Sequence, residues 1–261
     1  MVFKRLSNTK KTEEHTTHAS RVEQALLRYK QCRHLQPGQE QFTQGFNQLQ
    51  NWQTLRLVTS HKDLLSDPRY GRAAHFLLHE VYGGGHLGAI ADEIQKTANK
   101  AGRLLPKGIF ATAALALELN ALTIEIDESI VEYMMQHQWV PGQVIDSKNY
   151  CHALQQGQLL DKRTKQLDLC QELAEAVDQY LHSKSVRLGL KMSAGIAESA
   201  GVQNLHEFLL TAFDHLKEVG KVSAVIQHIG QIEIKILEDV ALHNNPFSTM
   251  DVAQPVAPIE A

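Results

Sequence analysis

The stretch that decides the fold is ALALELNALTIEIDESIVEY, residues 114–133, because its hydrophobic residues follow a helical period. At about 100° per residue, one face carries a long apolar set: Leu115, Leu119, Leu122, Ile126, Ile130 and Tyr133. Leu117, Ile124 and Val131 fall on the opposite face. A helix that is apolar on two sides packs on two sides. The pattern therefore predicts a central buried helix over about residues 108–135.

Glutamates mark one flank of this helix. Glu118, Glu125 and Glu132 recur every seven residues, which places them about 10 Å apart. Because an isolated buried carboxylate is costly, two interpretations stay open: a polar seam whose acids meet Arg, Lys or backbone partners, or a functional pocket. A di-iron bundle would need Glu-x-x-His on two helices, and that pattern does not occur in this sequence.

The rest of the chain also follows helical periods, as in Val22, Leu26 and Tyr29 and again in Phe42, Phe46 and Leu49. Further helices are predicted near residues 68–82, 86–103, 149–154, 161–182, 186–199, 205–219 and 222–242. No segment alternates convincingly with period 2. The sequence thus predicts an all-α fold: a single-domain multi-helix bundle over residues 19–243, with a disordered leader at 1–18 and a disordered tail at 244–261.

Composition narrows the classes of function. The 261 residues are 43% hydrophobic, enough for a large core, and the formal charge of -3 offers no field that attracts nucleic acid. Three separated cysteines suit reduced thiols. No apolar run reaches the roughly 18 to 20 residues that cross a bilayer. We therefore expect a cytoplasmic protein without a membrane or nucleic-acid partner.

Gly83-Gly84-Gly85-His86-Leu87-Gly88 matches G-x-G-x-x-G. A dinucleotide loop needs a strand before its glycines, whereas Ala74, Leu77, Leu78 and Val81 have helical spacing up to this point. The glycines therefore predict a left-handed helix end and a tight turn between two helices. An anion site at the following helix N-terminus is the alternative. No cofactor is predicted.

Histidines are numerous, and His75 and His79 share a helix face. Glu80 lies outside the pair, so neither H-E-x-x-H nor H-x-x-E-H is formed, and His86 is the nearest third candidate. The sequence accordingly predicts no metal site and keeps these histidines as the candidates. No G-x-S-x-G or other nucleophile motif occurs. Whether the protein is an enzyme stays open.

A longer pattern resembles the bacterial family of uncharacterised helical proteins named for its FFLEELY motif. The motif aligns with Phe76-Leu77-Leu78-His79-Glu80-Val81-Tyr82, with Gly83 after it. Further similar segments are Asp63-Leu64-Leu65, Asp67-Pro68-Arg69-Tyr70, Leu105-Pro106 and Glu118-Leu119-Asn120-Ala121-Leu122. The chain departs from the family at His79, where the motif has a glutamate, and at His86, where the family tends to have an aspartate. The resemblance spans about residues 45–240 and implies an all-helical cytoplasmic protein, with no particular reaction.

Three hypotheses of function follow. The first is a helical interaction or regulatory protein with a protein partner, which would expose an apolar surface. The second is a small-ligand-binding protein or enzyme, whose pocket would be lined by Glu80, Tyr82 and Glu118 together with Glu125 and Arg69. The third is metal binding through His75 and His79. Among the individual residues, Glu80, Tyr82 and Glu118 are expected to matter more than the histidines.

Overall fold

The computed structural model describes residues 21–78, 90, 93 and 107–252. Helices account for about four-fifths of these residues, and none of them forms a strand. The all-α prediction is therefore confirmed. Within the same ranges, no helix combines the length and apolar character that a membrane crossing needs.

Eleven α-helices lie within residues 21–78 and 107–252. They are α1 (residues 21–30), α2 (Glu40–Ser60), α3 (Lys62–Leu65), α4 (Gly71–Phe76), α5 (Lys107–Gln136), α6 (Ser147–Leu154), α7 (Leu159–Leu181), α8 (Lys184–Met192), α9 (Ala194–Ala200), α10 (Gln203–Leu216) and α11 (Val222–Ala241). Short 3₁₀ helices span Arg33–Leu35 and Ser248–Val252.

The central helix is α5, and it packs against α2, α6 and α7. Ile126 and Ile130 on one face are fully buried, and Val131 on the opposite face is fully buried too. Leu117 joins a separate cluster with Val22 and other residues of α1. The prediction of a helix buried on two sides is thus confirmed, because apolar residues of both faces are buried.

Several predicted boundaries move in the structure. The helix predicted to begin at Pro68 begins at Gly71, because Asp67 Oδ1 accepts hydrogen bonds from the backbone N–H groups of Arg69 and Tyr70 and holds a turn there. The helix predicted over 186–199 is two helices that meet at Ser193.

Residues 244–250, which the sequence analysis placed in a disordered tail, pack against the bundle. Phe247 is only 2% exposed, and its ring lies 5.8 Å from Trp52 and 5.6 Å from Tyr150. Asn245 donates to the hydroxyl of Ser147 at the start of α6. The packed region therefore extends at least to Met250, which is also buried.

Glycine is required where α4 meets the turn before it. A Cβ at Gly71 would lie 2.4 Å from the carbonyl oxygen of Leu65, which is closer than real Cβ contacts come. Gly45 allows a similar close approach, since its Cβ would lie 3.1 Å from both Pro141 and Trp139. Gly71 thus allows α4 to pack closely on α3, and Gly45 allows α2 to pack closely on the loop after α5.

Candidate functional site

The glutamates of the central helix meet arginines. Arg21 Nε lies 3.3 Å from Glu118 Oε2, and Arg33 Nη1 lies 3.6 Å from Glu132 Oε1. Arg28 donates to both carboxylate oxygens of Glu125, at 2.5 and 2.8 Å. This two-pronged hydrogen bond holds the pKa of Glu125 below its ordinary value and raises the pKa of Arg28. The acids therefore have the partners that a polar seam requires.

A cleft of about 270 Å³ opens beside the seam. Its lining combines acidic, basic and hydroxyl side chains with one aromatic ring: Arg33, Phe42, Glu125, Glu128, Ser129, Glu132 and Lys162. Glu125 belongs to the pocket proposed from the sequence, and Glu132 belongs to the acidic flank for which a pocket was one of two interpretations. The other lining residues were not predicted. Both signs of charge at one opening suit a polar ligand better than an apolar one.

Next to this cleft, Cys32, His34 and Glu128 converge. One ligand atom from each lies within 4.8 Å of the other two. His34 Nδ1 is 2.8 Å from Glu128 Oε1, which also accepts the backbone N–H of His34 at 2.8 Å. The His34 ring stacks on Phe46 with centroids 4.0 Å apart. Burial, aided by the charge of Glu128, raises the pKa of the Cys32 thiol to about 12.

A second set of polar groups lies inside the bundle, and we call it the Asp127 cluster: Asp127, Gln53, Tyr150, Arg163 and Gln166. Arg163 Nη2 donates to Asp127 Oδ1 and to Gln53 Oε1, each at 2.8 Å. Gln53 Nε2 donates to the same Asp127 oxygen at 2.8 Å, and the Tyr150 hydroxyl donates to Gln53. These hydrogen bonds join four helices, and the Asp127 cluster therefore holds α2, α5, α6 and α7 in register.

Asp127 is the centre of this cluster and is completely buried. Burial raises the pKa of its carboxyl, although Arg163 and the hydrogen bond from Gln53 act in the opposite direction. Within the described part of the chain, its Oδ2 has no hydrogen-bond partner. A carboxyl group with a raised pKa and one unbonded oxygen has room to carry a proton.

A neighbouring set, the Glu233 cluster, comprises Glu233, Arg56 and His61. Arg56 Nη1 donates to Glu233 Oε2, and His61 Nε2 lies 2.9 Å from Glu233 Oε1. Burial alone would raise the pKa of Glu233, but Arg56 and His61 outweigh it and lower the pKa to about 2. The cluster fastens α11 to the end of α2.

Neither cluster was predicted from the sequence. Asp127 gave the only signal, because at about 100° per residue it falls on the flank opposite Glu118, Glu125 and Glu132, next to apolar positions. Its partners Gln53 and Arg163 are 74 and 36 residues away along the chain. Helical periodicity within one segment does not connect residues so far apart.

Residues proposed for the pocket and the metal site have different outcomes. Arg69 lies near Asp67, at 3.6 Å, and over the ring of Tyr70, while Glu118 pairs with Arg21 and Lys165. His75 is exposed on α4. The remaining predicted positions lie outside the described residues: His79, Glu80, Tyr82 and the glycine-rich segment 83–88 with His86.

One surface feature was not predicted. Leu188 and Met192 lie one turn apart on α8, and Ile196 lies on α9 after the break at Ser193; they are 60%, 75% and 67% exposed. We call these three residues the apolar row. Helix α8 contains no fully buried residue, and its Leu188 and Met192 side chains lie at the surface, where they contribute little to the core.

The fold and these features define an all-helical bundle protein whose central helix has one buried polar flank and one accessible acidic flank. The chain belongs to the family described as a domain of unknown function, DUF8198, whose model matches residues 31–246. No curated protein and no solved structure matches the chain.

Proposed function

We propose that this protein is a helical interaction or regulatory protein that binds a protein partner through the apolar row. The observation that carries the proposal is the exposure of Leu188, Met192 and Ile196. Large apolar side chains that recur at helical spacing on an exposed surface are typical of helix-in-groove or helix-on-helix recognition. Because these side chains are about two-thirds exposed, they contribute little to the stability of the chain itself. Binding of a partner would remove their apolar area from water, which is favourable.

Charge indicates which partner fits. Residues 184–200 carry three basic residues, Lys184, Arg187 and Lys191, and one acidic residue, Glu198. The local balance is therefore 3 − 1 = +2, within a chain of formal charge -3. A second copy of the same surface would oppose like charges, whereas an acidic partner would be attracted.

The proposed partner is accordingly an amphipathic helix with an apolar stripe and acidic flanks. Its stripe would pack on the apolar row, and its carboxylates would face Lys184 and Lys191. Arg187 already lies 3.1 Å from Asp214 on α10, so we assign it to holding α8 in place rather than to the partner.

A fluorescent synthetic peptide tests this proposal. It carries leucines at every third or fourth position and glutamates on its flanks, and a second peptide carries lysines in place of the glutamates. Fluorescence anisotropy should show binding of the acidic peptide only. Leu188→Glu combined with Met192→Glu should weaken binding at least roughly tenfold, which corresponds to about 1.4 kcal/mol.

Leu242→Glu is the matched control, because Leu242 is another exposed leucine, 72% exposed, directly after the end of α11. It should leave peptide binding unchanged. Equal binding of both peptides would refute the charge argument. A dimer in sedimentation that Leu188→Glu dissociates would assign the row to a second copy, and binding to anionic vesicles without peptide binding would assign it to a lipid surface. Either result would overturn the proposal of a protein partner.

The resemblance supports two finer proposals. The likeness of residues 76–82 to the FFLEELY motif supports the proposal that the chain is related to that bacterial family, and it also supports a cytoplasmic location. Fractionation of the source cells, followed by immunodetection of the full chain, tests the location. Ligand binding by Glu80, Tyr82, Glu118 and Glu125 stays a prediction, and native mass spectrometry of the protein from its own host tests it directly.

A further inference from the structure

We propose that Cys32, His34 and Glu128 form a binding site for a divalent transition-metal ion of the zinc class. This site goes beyond the partner surface proposed above, because it lies at the junction of α1, the Arg33–Leu35 turn and α5. It also differs from the histidine site considered from the sequence, with which it shares no residue.

The donor set carries the inference. A thiolate, an imidazole nitrogen and a carboxylate oxygen are the three kinds of ligand that Zn²⁺ takes in proteins, at about 2.0 to 2.3 Å. In tetrahedral geometry such atoms lie about 3 to 4 Å from one another. The three donor atoms here already lie within 4.8 Å of one another, and His34 Nδ1 is 2.8 Å from Glu128 Oε1. Small side-chain rotations therefore complete the geometry.

The surroundings hold two of these ligands in place. The His34 ring stacks on Phe46 at an interplanar angle of 7°, which fixes the plane of the imidazole. The backbone carbonyl of His34 accepts the Thr43 hydroxyl at 2.8 Å, so the turn itself is anchored to α2. Glu128 projects from the central helix. Such supporting contacts orient metal ligands in known sites.

Charge and access also favour an ion. A thiolate and a carboxylate together supply two negative charges, which balance a divalent cation with a neutral imidazole as the third ligand. Glu128 also lines the cleft with Ser129, Arg33 and Lys162. An ion bound to Glu128 could therefore be reached from solvent, and three protein ligands leave the fourth tetrahedral position to water or a small anion.

Metal titration of the full chain tests the site. After chelation and desalting, isothermal titration with ZnCl₂ should show one ion per chain, with release of a proton to the buffer because the bound thiol is deprotonated. The Co²⁺ form should show thiolate-to-cobalt charge-transfer absorption. Cys32→Ser should abolish that absorption and weaken Zn²⁺ binding at least roughly 100-fold, since loss of a mere supporting contact already costs 10- to 100-fold.

Glu128→Gln should weaken Zn²⁺ binding and retain the charge-transfer band, because the thiolate remains. His152→Ala, which changes an exposed histidine on α6, should leave both readouts unchanged. Cys151→Ser combined with Cys170→Ser keeps only Cys32 and should keep the band, which assigns the thiolate even if Cys32→Ser does not fold. A wild-type chain without the band, or a band that persists in Cys32→Ser, would overturn the proposal.

Discussion

Replacing Glu233 by glutamine removes the only carboxylate of the Glu233 cluster while keeping its shape. Arg56 and His61 are buried beside it. The folded protein holds the pKa of Glu233 at about 2, against an ordinary value of 4.5. At 1.36 kcal/mol for each tenfold change in proton affinity, that difference corresponds to about 3 kcal/mol of stability near neutral pH.

The sign of the pH dependence follows from the direction of the change. Because the folded state binds the Glu233 proton more weakly than the unfolded state, the contribution is fully present above about pH 5 and is lost as the pH falls towards 2. Less than half of this contribution to stability remains at about pH 3. We therefore expect Glu233→Gln to lower the free energy of unfolding by about 3 to 5 kcal/mol at pH 7, since it leaves a buried cation without its counterion.

Urea unfolding followed by circular dichroism measures this at pH 7 and pH 3. The gap between wild type and Glu233→Gln should shrink by about 2 kcal/mol at the lower pH. Glu238→Gln is the matched control, because Glu238 is exposed on the same helix and its loss should change stability by less than about 0.5 kcal/mol. A gap below about 1 kcal/mol at pH 7, or one that stays constant with pH, would refute the reasoning.

Three further predictions concern the core and the turns. Arg163→Met should destabilise the protein more at pH 8 than at pH 5 in urea unfolding, because Asp127, whose pKa burial already raises, takes up a proton as the pH falls and no longer needs a counterion. Gly71→Ala should lower the melting temperature, since its Cβ would meet a backbone carbonyl at 2.4 Å, whereas Gly230→Ala, with nothing within 4 Å, should raise it slightly. Phe247→Ala should cost about 3 to 5 kcal/mol in the same unfolding assay, as expected for a large core residue; a cost near zero would return residues 244–250 to the tail.

The sequence predicted the central helix closely, to within about one residue at each end, because its apolar positions repeat over eight turns on two faces. Capping was harder to predict. After the last residue of α5, the backbone of Gln138 is left-handed, at φ 69°. The N–H of Trp139 then donates to the carbonyl of Met134 at 3.0 Å. After α11, the backbone of His243 is left-handed too, at φ 62°. The N–H of Asn244 donates to the carbonyl of Asp239. Residues other than glycine carry no strong signal for this geometry.

The candidate sites were predicted less well than the fold. Glu118, Glu125 and Glu132 were found because they repeat on one helix. Cys32, His34 and Glu128 were not found, because the glutamate is 94 residues from the histidine along the chain and only the packing of α1 on α5 brings them together. Sequence motifs detect metal ligands that lie close together along the chain, whereas these three residues come from two distant segments.

The central helix has two polar flanks, and their different burial assigns them different roles. Around Asp127 the ionic partner is buried, with 7% exposure of the Arg163 side chain, so a disturbance there strands a charge and costs about 3 to 5 kcal/mol. On the glutamate flank the arginines are 34% to 47% exposed, and rearranging such pairs costs at most about 1 kcal/mol each. The ion proposed at Glu128 would therefore shift its neighbours without loosening the bundle, whereas the Asp127 flank holds helices in register.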